Sequence, residues 1–304
     1  MGQLIAEGQL RVGLVGAGPW ATSIHAPGLA DHPGTALTAV WARRPEAAQT
    51  LADTHCAATA SSIEELFAQV DAVAFAVPPS IQAELGVQAA EAGKHLILEK
   101  PIAADLAGAQ RLADAVAAAD VAALVMLTLR YSAQTQEWLA GVGQAGGWAG
   151  GGARWLSGAL LGGQYAASEW RQDDGGALFD IGPHALDMLD AALGPIIDVV
   201  AARRSPGDLW HLMLAHENDV ISTATLSLRL PVQPTVVEVA VWGEHGYRTL
   251  GRKPGSASES YTALLDDFAA MIASGTTAHP CDVRRGLHLQ GLLERARELA
   301  DNTK

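Results

Sequence analysis

Asp180 and His184 stand four residues apart in the run Gly175-Gly176-Ala177-Leu178-Phe179-Asp180-Ile181-Gly182-Pro183-His184. On a helix, that spacing places both side chains on one face. A free imidazole titrates at about pH 6.5, so His184 is a candidate proton donor or acceptor near neutrality. Asp180 is placed to orient it or to hold a substrate. Asp187 lies one turn further along and shares the face. A helix is expected from about 178 to 193, with both candidates in its first turns. Pro183 fits only if that helix begins near 180–182, because a later proline lacks a needed N–H and clashes with the preceding turn. The plain alternative is a capped helix with an incidental histidine.

Lys100 is the next candidate. Glu99-Lys100-Pro101 follows directly on an apolar run at 95–98 that reads as a buried strand. The carboxyl ends of parallel strands open onto a ligand crevice. An ammonium group there can hydrogen-bond a substrate oxygen and stabilise negative charge as it develops. Taken alone, a lysine before a proline is more often structural.

A third pattern concerns phosphate. Val12-Gly13-Leu14-Val15-Gly16-Ala17-Gly18-Pro19-Trp20-Ala21 follows a strand over 10–15 and opens a helix, the context a dinucleotide fingerprint requires. Gly16 permits a tight turn and Gly18 lets backbone approach a pyrophosphate. Ala21, where a third glycine often stands, still allows close helix–strand packing. Pro19 and Trp20 start the helix, whose free N–H groups and positive dipole end suit the phosphates. Val77 and Pro78, at the end of a strand over 71–77, and Glu99 with Lys100 are further candidate cofactor contacts. At the end of the second strand, an acidic residue would bind the ribose 2′-OH of NAD. Here the chain reads Val40-Trp41-Ala42-Arg43-Arg44-Pro45. Two guanidinium groups without a carboxylate suit a 2′-phosphate. NADP is therefore the preferred expectation, with NAD second; otherwise Arg43 and Arg44 are solvated surface charges.

Short apolar runs alternate with helical patterns through the first part. Strands are expected over 10–15, 37–41, 71–77, 95–98 and 121–127, and helices over 45–52, 82–92 and 105–119. Pro45 suits a first helical turn, Gly93 a C-terminal stop and Asp105 an N-cap. Such alternation predicts an α/β, doubly wound parallel sheet with helices on both faces. The pattern changes after 127. Residues 141–152 read as a glycine-rich break. The helix ending at 193 is followed by strand-like runs over 196–203, 209–216, 220–230 and 235–242, then by closing helices over 261–273 and 283–300. That order predicts an α+β domain with a large, mostly antiparallel sheet. The expected division is a dinucleotide-binding Rossmann domain over 1–127 and an α+β substrate domain over 128–304.

Composition narrows the partners. Of 304 residues, 33 are acidic and 20 basic, giving a net charge of −13. Nucleic acid and anionic membranes reward Lys/Arg surfaces, so neither is an expected partner. Hydrophobic residues make up 49%, enough to build a core without metal or disulfide support. No Cys/His cluster has metal-ligand spacing, so no metal site is expected. Cys56 and Cys281, far apart in the chain, fit unpaired thiols in a reducing compartment. The N-terminus lacks a leader pattern, and no apolar run approaches the ~20 residues of a membrane span. A soluble, cytoplasmic protein is expected.

Several of these segments occur in a telling order. The glycine fingerprint, Val77-Pro78-Pro79, Ala92-Gly93-Lys94-His95 leading into Glu99-Lys100-Pro101, and Asp180-x-Gly182-x-His184 follow one another. The set resembles the glucose-fructose oxidoreductase / inositol dehydrogenase / rhizopine-catabolism (Gfo/Idh/MocA) family. The resemblance covers essentially the whole chain, including the closing helix from Tyr261 to Phe268. It implies a Rossmann domain followed by an α+β domain whose large open sheet carries a homodimer or homotetramer interface. It also implies hydride transfer between NAD(P) and a secondary alcohol or ketone of a sugar, inositol or related polyol. Lys100, Asp180 and His184 would form the catalytic trio, with His184 as proton donor or acceptor. Trp170-Arg171 resembles a segment that approaches the cofactor, and Arg130 matches an arginine beside the active site. Arg130 and Tyr165 would join the trio as substrate contacts.

Two departures stand out. Ser80-Ile81-Gln82 occupies the place where many members carry a histidine after Pro-Pro. Thr128-Leu129-Arg130-Tyr131 lacks the asparagine that often precedes that arginine. Both segments usually touch cofactor or substrate, so the substrate class stays open. Two other functions also stay open: a non-catalytic dinucleotide or ligand sensor on the same fold, and a reductase of a non-sugar substrate such as an imine or unsaturated ring. Trp155, Tyr165 and Trp170 could stack on either kind of substrate.

Overall fold

The computed structural model describes residues 8–162, 168–172, 175–251 and 255–302. The chain divides into two compact units. The first holds the described residues up to 126 together with 257–287; the second holds 127–256 and those from 288 onward.

In the first unit, β1 (Leu10–Val15), β2 (Thr35–Trp41), β3 (Ala58–Thr59), β4 (Ala72–Phe75), β5 (His95–Leu98) and β6 (Ala123–Val125) form one sheet. All its pairings are parallel, in the order β3-β2-β1-β4-β5-β6. The order reverses between β1 and β4, and a doubly wound sheet binds its ligand at that switch point, outside the carboxyl ends of the strands. Val12, Leu14, Val73, Phe75, Leu96 and Ile97 are wholly buried, which is the pattern of strands covered on both faces. The connecting helices are α1 (Ala26–Asp31), α2 (Pro45–Thr54), α3 (Ile63–Gln69), α4 (Pro79–Glu91) and α5 (Leu106–Ala119). Asp105 caps α5, its Oδ1 accepting the Gly108 N–H at 2.6 Å.

The first unit also takes a late segment that the expected division at 127 assigns to the second domain. Helix α9 (Ala257–Ser274) packs against α1 and β6. Its apolar stripe, Tyr261, Leu264, Leu265 and Phe268, is fully buried. Gly28 on α1 makes room for it: a Cβ there would lie 2.4 Å from the Tyr261 ring. An amphipathic stripe announces that a helix has a partner, not which one.

The second unit contains α6 (Ala133–Ala145), β7 (Trp148–Leu156), α7 (Glu169–Gln172), α8 (Gly176–Leu193), β8 (Ile196–Ser205), β9 (Leu209–His216), β10 (Ile221–Ser227), β11 (Val236–Gly243) and β12 (Gly246–Leu250). Its sheet runs β12-β11-β7-β10-β9-β8. The β10–β7 pair is parallel and the others are antiparallel. Helix α8 packs across β7, β9, β10 and β11. The last helix, α10 (Val283–Asp301), is shared between the two units.

Two expectations are corrected here. Residues 141–152 are not a break; they end α6 and begin β7, a central strand. A Cβ on Gly150 would lie 2.6 Å from the Trp242 indole, and one on Gly151 would lie 2.7 Å from Leu193 and 2.9 Å from the Ala240 carbonyl. Glycine weakens a strand by propensity, yet it is required where neighbours approach this closely. Helix α8 also begins earlier than Pro183 suggested. It starts at Gly176, so Pro183 is interior and Asp180 and His184 are its fifth and ninth residues. Two features offset the proline. The preceding residue is Gly182, which lacks the Cβ that a following proline would crowd. The helix start is held from outside: Asp208, in the β8–β9 turn, accepts the Ala177 N–H at 2.8 Å.

Candidate active site

In the first unit, β1 runs into Gly16, whose φ of +122° is left-handed backbone that favours glycine. A Cβ at this point would lie 2.4 Å from the Ala76 carbonyl. The turn therefore passes tightly over the end of β4. At Gly18 nothing would approach an added Cβ within 4 Å, so that side of the loop is open. Pro19 is exposed and Trp20 half-buried at the start of the following helix. Val77 is half-buried and Pro78 exposed where β4 leads into α4. Arg43 and Arg44 are exposed just beyond β2. All these residues lie at the carboxyl ends of their strands, as the fingerprint requires.

Glu99 and Lys100 follow β5 and are half-buried. Their backbone is splinted by Gln82, which is wholly buried on α4. Its Oε1 accepts the Glu99 N–H at 2.8 Å, and its Nε2 donates to the carbonyls of Glu99 (2.7 Å) and Ile102 (3.2 Å). The Glu99 carboxylate accepts from Trp20 Nε1 at 2.6 Å and pairs with His25 Nε2 at 2.8 Å. Two of the expected cofactor residues, Trp20 and Glu99, are thus joined to each other.

In the second unit, α8 carries Asp180 and His184 one turn apart. Asp180 forms a two-point ion pair with Arg171 of α7, with Nε to Oδ2 at 2.9 Å and Nη2 to Oδ1 at 3.5 Å. The Arg171 guanidinium also lies over the Trp170 ring, 4.2 Å from its centroid. His184 is buried, and its imidazole stacks on Trp155 of β7, with centroids 5.7 Å apart and planes at 30°. Arg130 pairs with the buried Asp187 at 3.2 Å, which fixes its head one turn beyond His184. Tyr165 lies outside the described residues. The unit therefore gathers Arg130, Trp155, Arg171, Asp180, His184 and Asp187 on or against one helix. Such a set can move a proton through His184 and hold it between aromatic and carboxylate neighbours.

Residues 10–127 match the oxidoreductase family described as an NAD-binding Rossmann fold, and residues 150–248 match the GFO/IDH/MocA C-terminal domain. The chain belongs to the Gfo/Idh/MocA oxidoreductase family. A dTDP-3,4-didehydro-2,6-dideoxy-alpha-D-glucose 3-reductase of Streptomyces violaceoruber is 34% identical over 199 residues, covering 64% of this chain and 57% of that relative. GenD2 from gentamicin A biosynthesis, solved in complex with NAD, superposes with a TM-score of 0.85 at 19% identity, over 100% of this chain and 97% of its own. The WlbA dehydrogenase from Bordetella pertussis, solved with NADH and UDP-GlcNAcA, gives 0.82 at 22% identity, over 95% and 97%. At those identities the structural likeness shows the fold. Among the described residues, no helix is long and apolar enough to cross a membrane.

Sequence reading of this Gfo/Idh/MocA member missed Gln82, His25, Tyr261 and Asp208 as parts of the site's support. Gln82 registered only as a departure from a histidine. Asp208 sits in Ser205-Pro206-Gly207-Asp208, which signals a turn and nothing more. Its carboxylate also accepts from Trp210 Nε1 (2.8 Å) and Arg204 Nε (3.0 Å), so the turn is bonded firmly to the start of α8.

Proposed function

We propose that this chain transfers a hydride between NADP, or NAD in second place, and a secondary alcohol or ketone of a sugar, inositol or related polyol. Lys100, Asp180 and His184 are the catalytic trio in this reading. His184 gives or takes the hydroxyl proton, Asp180 sets its orientation with Arg171 behind it, and the Lys100 ammonium stabilises charge on the reacting oxygen. Arg130 supports the substrate end of α8, and Tyr165 and Trp170-Arg171 are assigned to substrate and cofactor as before. The observation that carries the reading is the buried His184 stacked on Trp155 and one helical turn from an arginine-held Asp180. The 3-reductase from Streptomyces and the sugar-nucleotide complex of WlbA support a sugar substrate. Turnover with NADPH and NADH across sugars, inositols and nucleotide-linked keto sugars tests it. Tight dinucleotide binding with no turnover on any of these would favour a sensor.

The preference for NADP rests on Arg43 and Arg44, both exposed beyond β2. Arg43→Ala is expected to weaken NADPH by about tenfold, the worth of one charge-assisted phosphate contact, and to leave NADH nearly unchanged. Equal losses for both, measured by nucleotide fluorescence, would undo the assignment.

The second unit's sheet supports self-association. Ile197, Val200, Met213, Ile221, Trp242 and Tyr247 are large apolar residues exposed on its strands, and patches of this kind mark interfaces. A homodimer or homotetramer through this sheet is expected by light scattering. Met213→Glu should shift it toward monomer, and a monomeric parent protein would remove the idea. A cytoplasmic setting suits the exposed thiol of Cys56 and the buried one of Cys281.

A further inference from the structure

The helix leaving the glycine turn is not uniformly α-helical. Ala21–His25 is a π-helical turn, closed by the Ala26 N–H donating to the Ala21 carbonyl. Its effect falls on two side chains, Trp20 and His25, five residues apart. On an α-helix of about 3.6 residues per turn, five positions leave side chains roughly 140° out of phase. The wider i→i+5 turn brings them toward one face. Both then reach the same atom. Glu99 Oε1 accepts the Trp20 indole N–H at 2.6 Å and meets His25 Nε2 at 2.8 Å.

Behind His25 stands Tyr261 of α9, whose hydroxyl lies 3.0 Å from His25 Nδ1. Burial, and then the negative Glu99, hold this hydroxyl protonated far above its ordinary range. With the imidazole proton on Nε2, facing Glu99, Nδ1 is left to accept from the Tyr261 hydroxyl. In that tautomer, donors and acceptors match along the whole row from Tyr261 to Trp20. His25 and Tyr261 are fully buried, and a buried polar row is rigid when every member is satisfied. Gln82 grips the Glu99 backbone from the other side.

In a doubly wound sheet, the two halves of a dinucleotide lie on either side of the switch point. With Arg43 and Arg44 beyond β2, the nicotinamide half falls toward β4 and β5. We propose that Glu99 is a positioning residue that ties the Lys100 end of β5 to the glycine-turn helix, so that the nicotinamide ring meets a preformed seat, and that the π turn exists to make this tie. The proposal rests on the dinucleotide reading above.

The test compares two ligands in calorimetry: NADPH, and 2′-phospho-ADP-ribose, which lacks the nicotinamide ring. NADH and ADP-ribose form a parallel pair. Glu99→Ala is expected to weaken the reduced dinucleotide about tenfold while changing its ring-less partner by less than about threefold. Glu99→Gln keeps a carbonyl oxygen able to accept both N–H groups, and His25→Gln keeps a donor to Glu99. Both should bind within about threefold of the parent. Equal weakening of both ligands by Glu99→Ala would overturn the proposal, since general loosening of the unit does that. Glu99→Gln behaving like Glu99→Ala would also overturn it, because charge rather than tethering would then be at work. If the parent protein bound none of the four nucleotides, the dinucleotide reading would fall first and this proposal with it.

Discussion

His184→Ala is expected to lower turnover by about 10²–10⁴-fold, the usual worth of general acid–base catalysis, while leaving dinucleotide affinity nearly unchanged. The expectation follows from how much structure is devoted to this ring. It sits in the middle of α8, is 5% exposed and packs flat against Trp155. A turn earlier, Arg171 holds Asp180 by two contacts; a turn later, Arg130 holds Asp187. None of these neighbours can replace the imidazole as a proton carrier near neutral pH. Steady-state kinetics on the best substrate of the sugar and polyol panel provide the measurement, with thermal melting to show that the fold persists. A variant as fast as its parent would take His184 out of the mechanism.

Lys100→Met should cost about 10²–10³-fold in kcat, the scale set by removing one preorganised donor to a developing oxyanion. Methionine keeps the length and apolar stem of lysine and removes only the charge and the donors. The backbone at this point is held independently by Gln82, so the substitution should act on chemistry rather than on the loop. The loss is expected in kcat, with KM and dinucleotide affinity changed little, because the interaction is made mainly in the transition state. A kcat within a few-fold of the parent would assign Lys100 a structural role instead.

Much of the first unit was legible before any coordinates. The expected strand at 95–98 and the observed β5 coincide, and the glycine turn, the Asp105 cap and five of the six parallel strands follow from local signals, period, turn chemistry and capping, while the two-residue β3 (Ala58–Thr59) is too short to carry such a signal. The boundaries of β8 to β11 were close for the same reason, since alternating burial is written directly in the chain. Failures came where a remote partner overrode a local rule. Gly150 and Gly151 look like breakers until Trp242 and Leu193 are seen pressed against them. Pro183 looks like a helix start until Asp208, more than twenty residues on, is found bonded to the first turn.

The amino-acid order alone determined the class of fold, the glycine turn and the identities of Lys100, Asp180 and His184 as the groups worth testing, because these depend on residue type and spacing. Tertiary structure decided who holds them: Arg171 on Asp180, Trp155 on His184, Gln82 behind Lys100, and Trp20 and His25 on Glu99. Apart from Arg171 and Asp180, nine residues apart, those pairings join residues distant in the chain, and no periodicity or propensity within a window of neighbours can carry such information. Only the folded backbone, by closing long loops and burying donors beside acceptors, selects among the partners the composition permits.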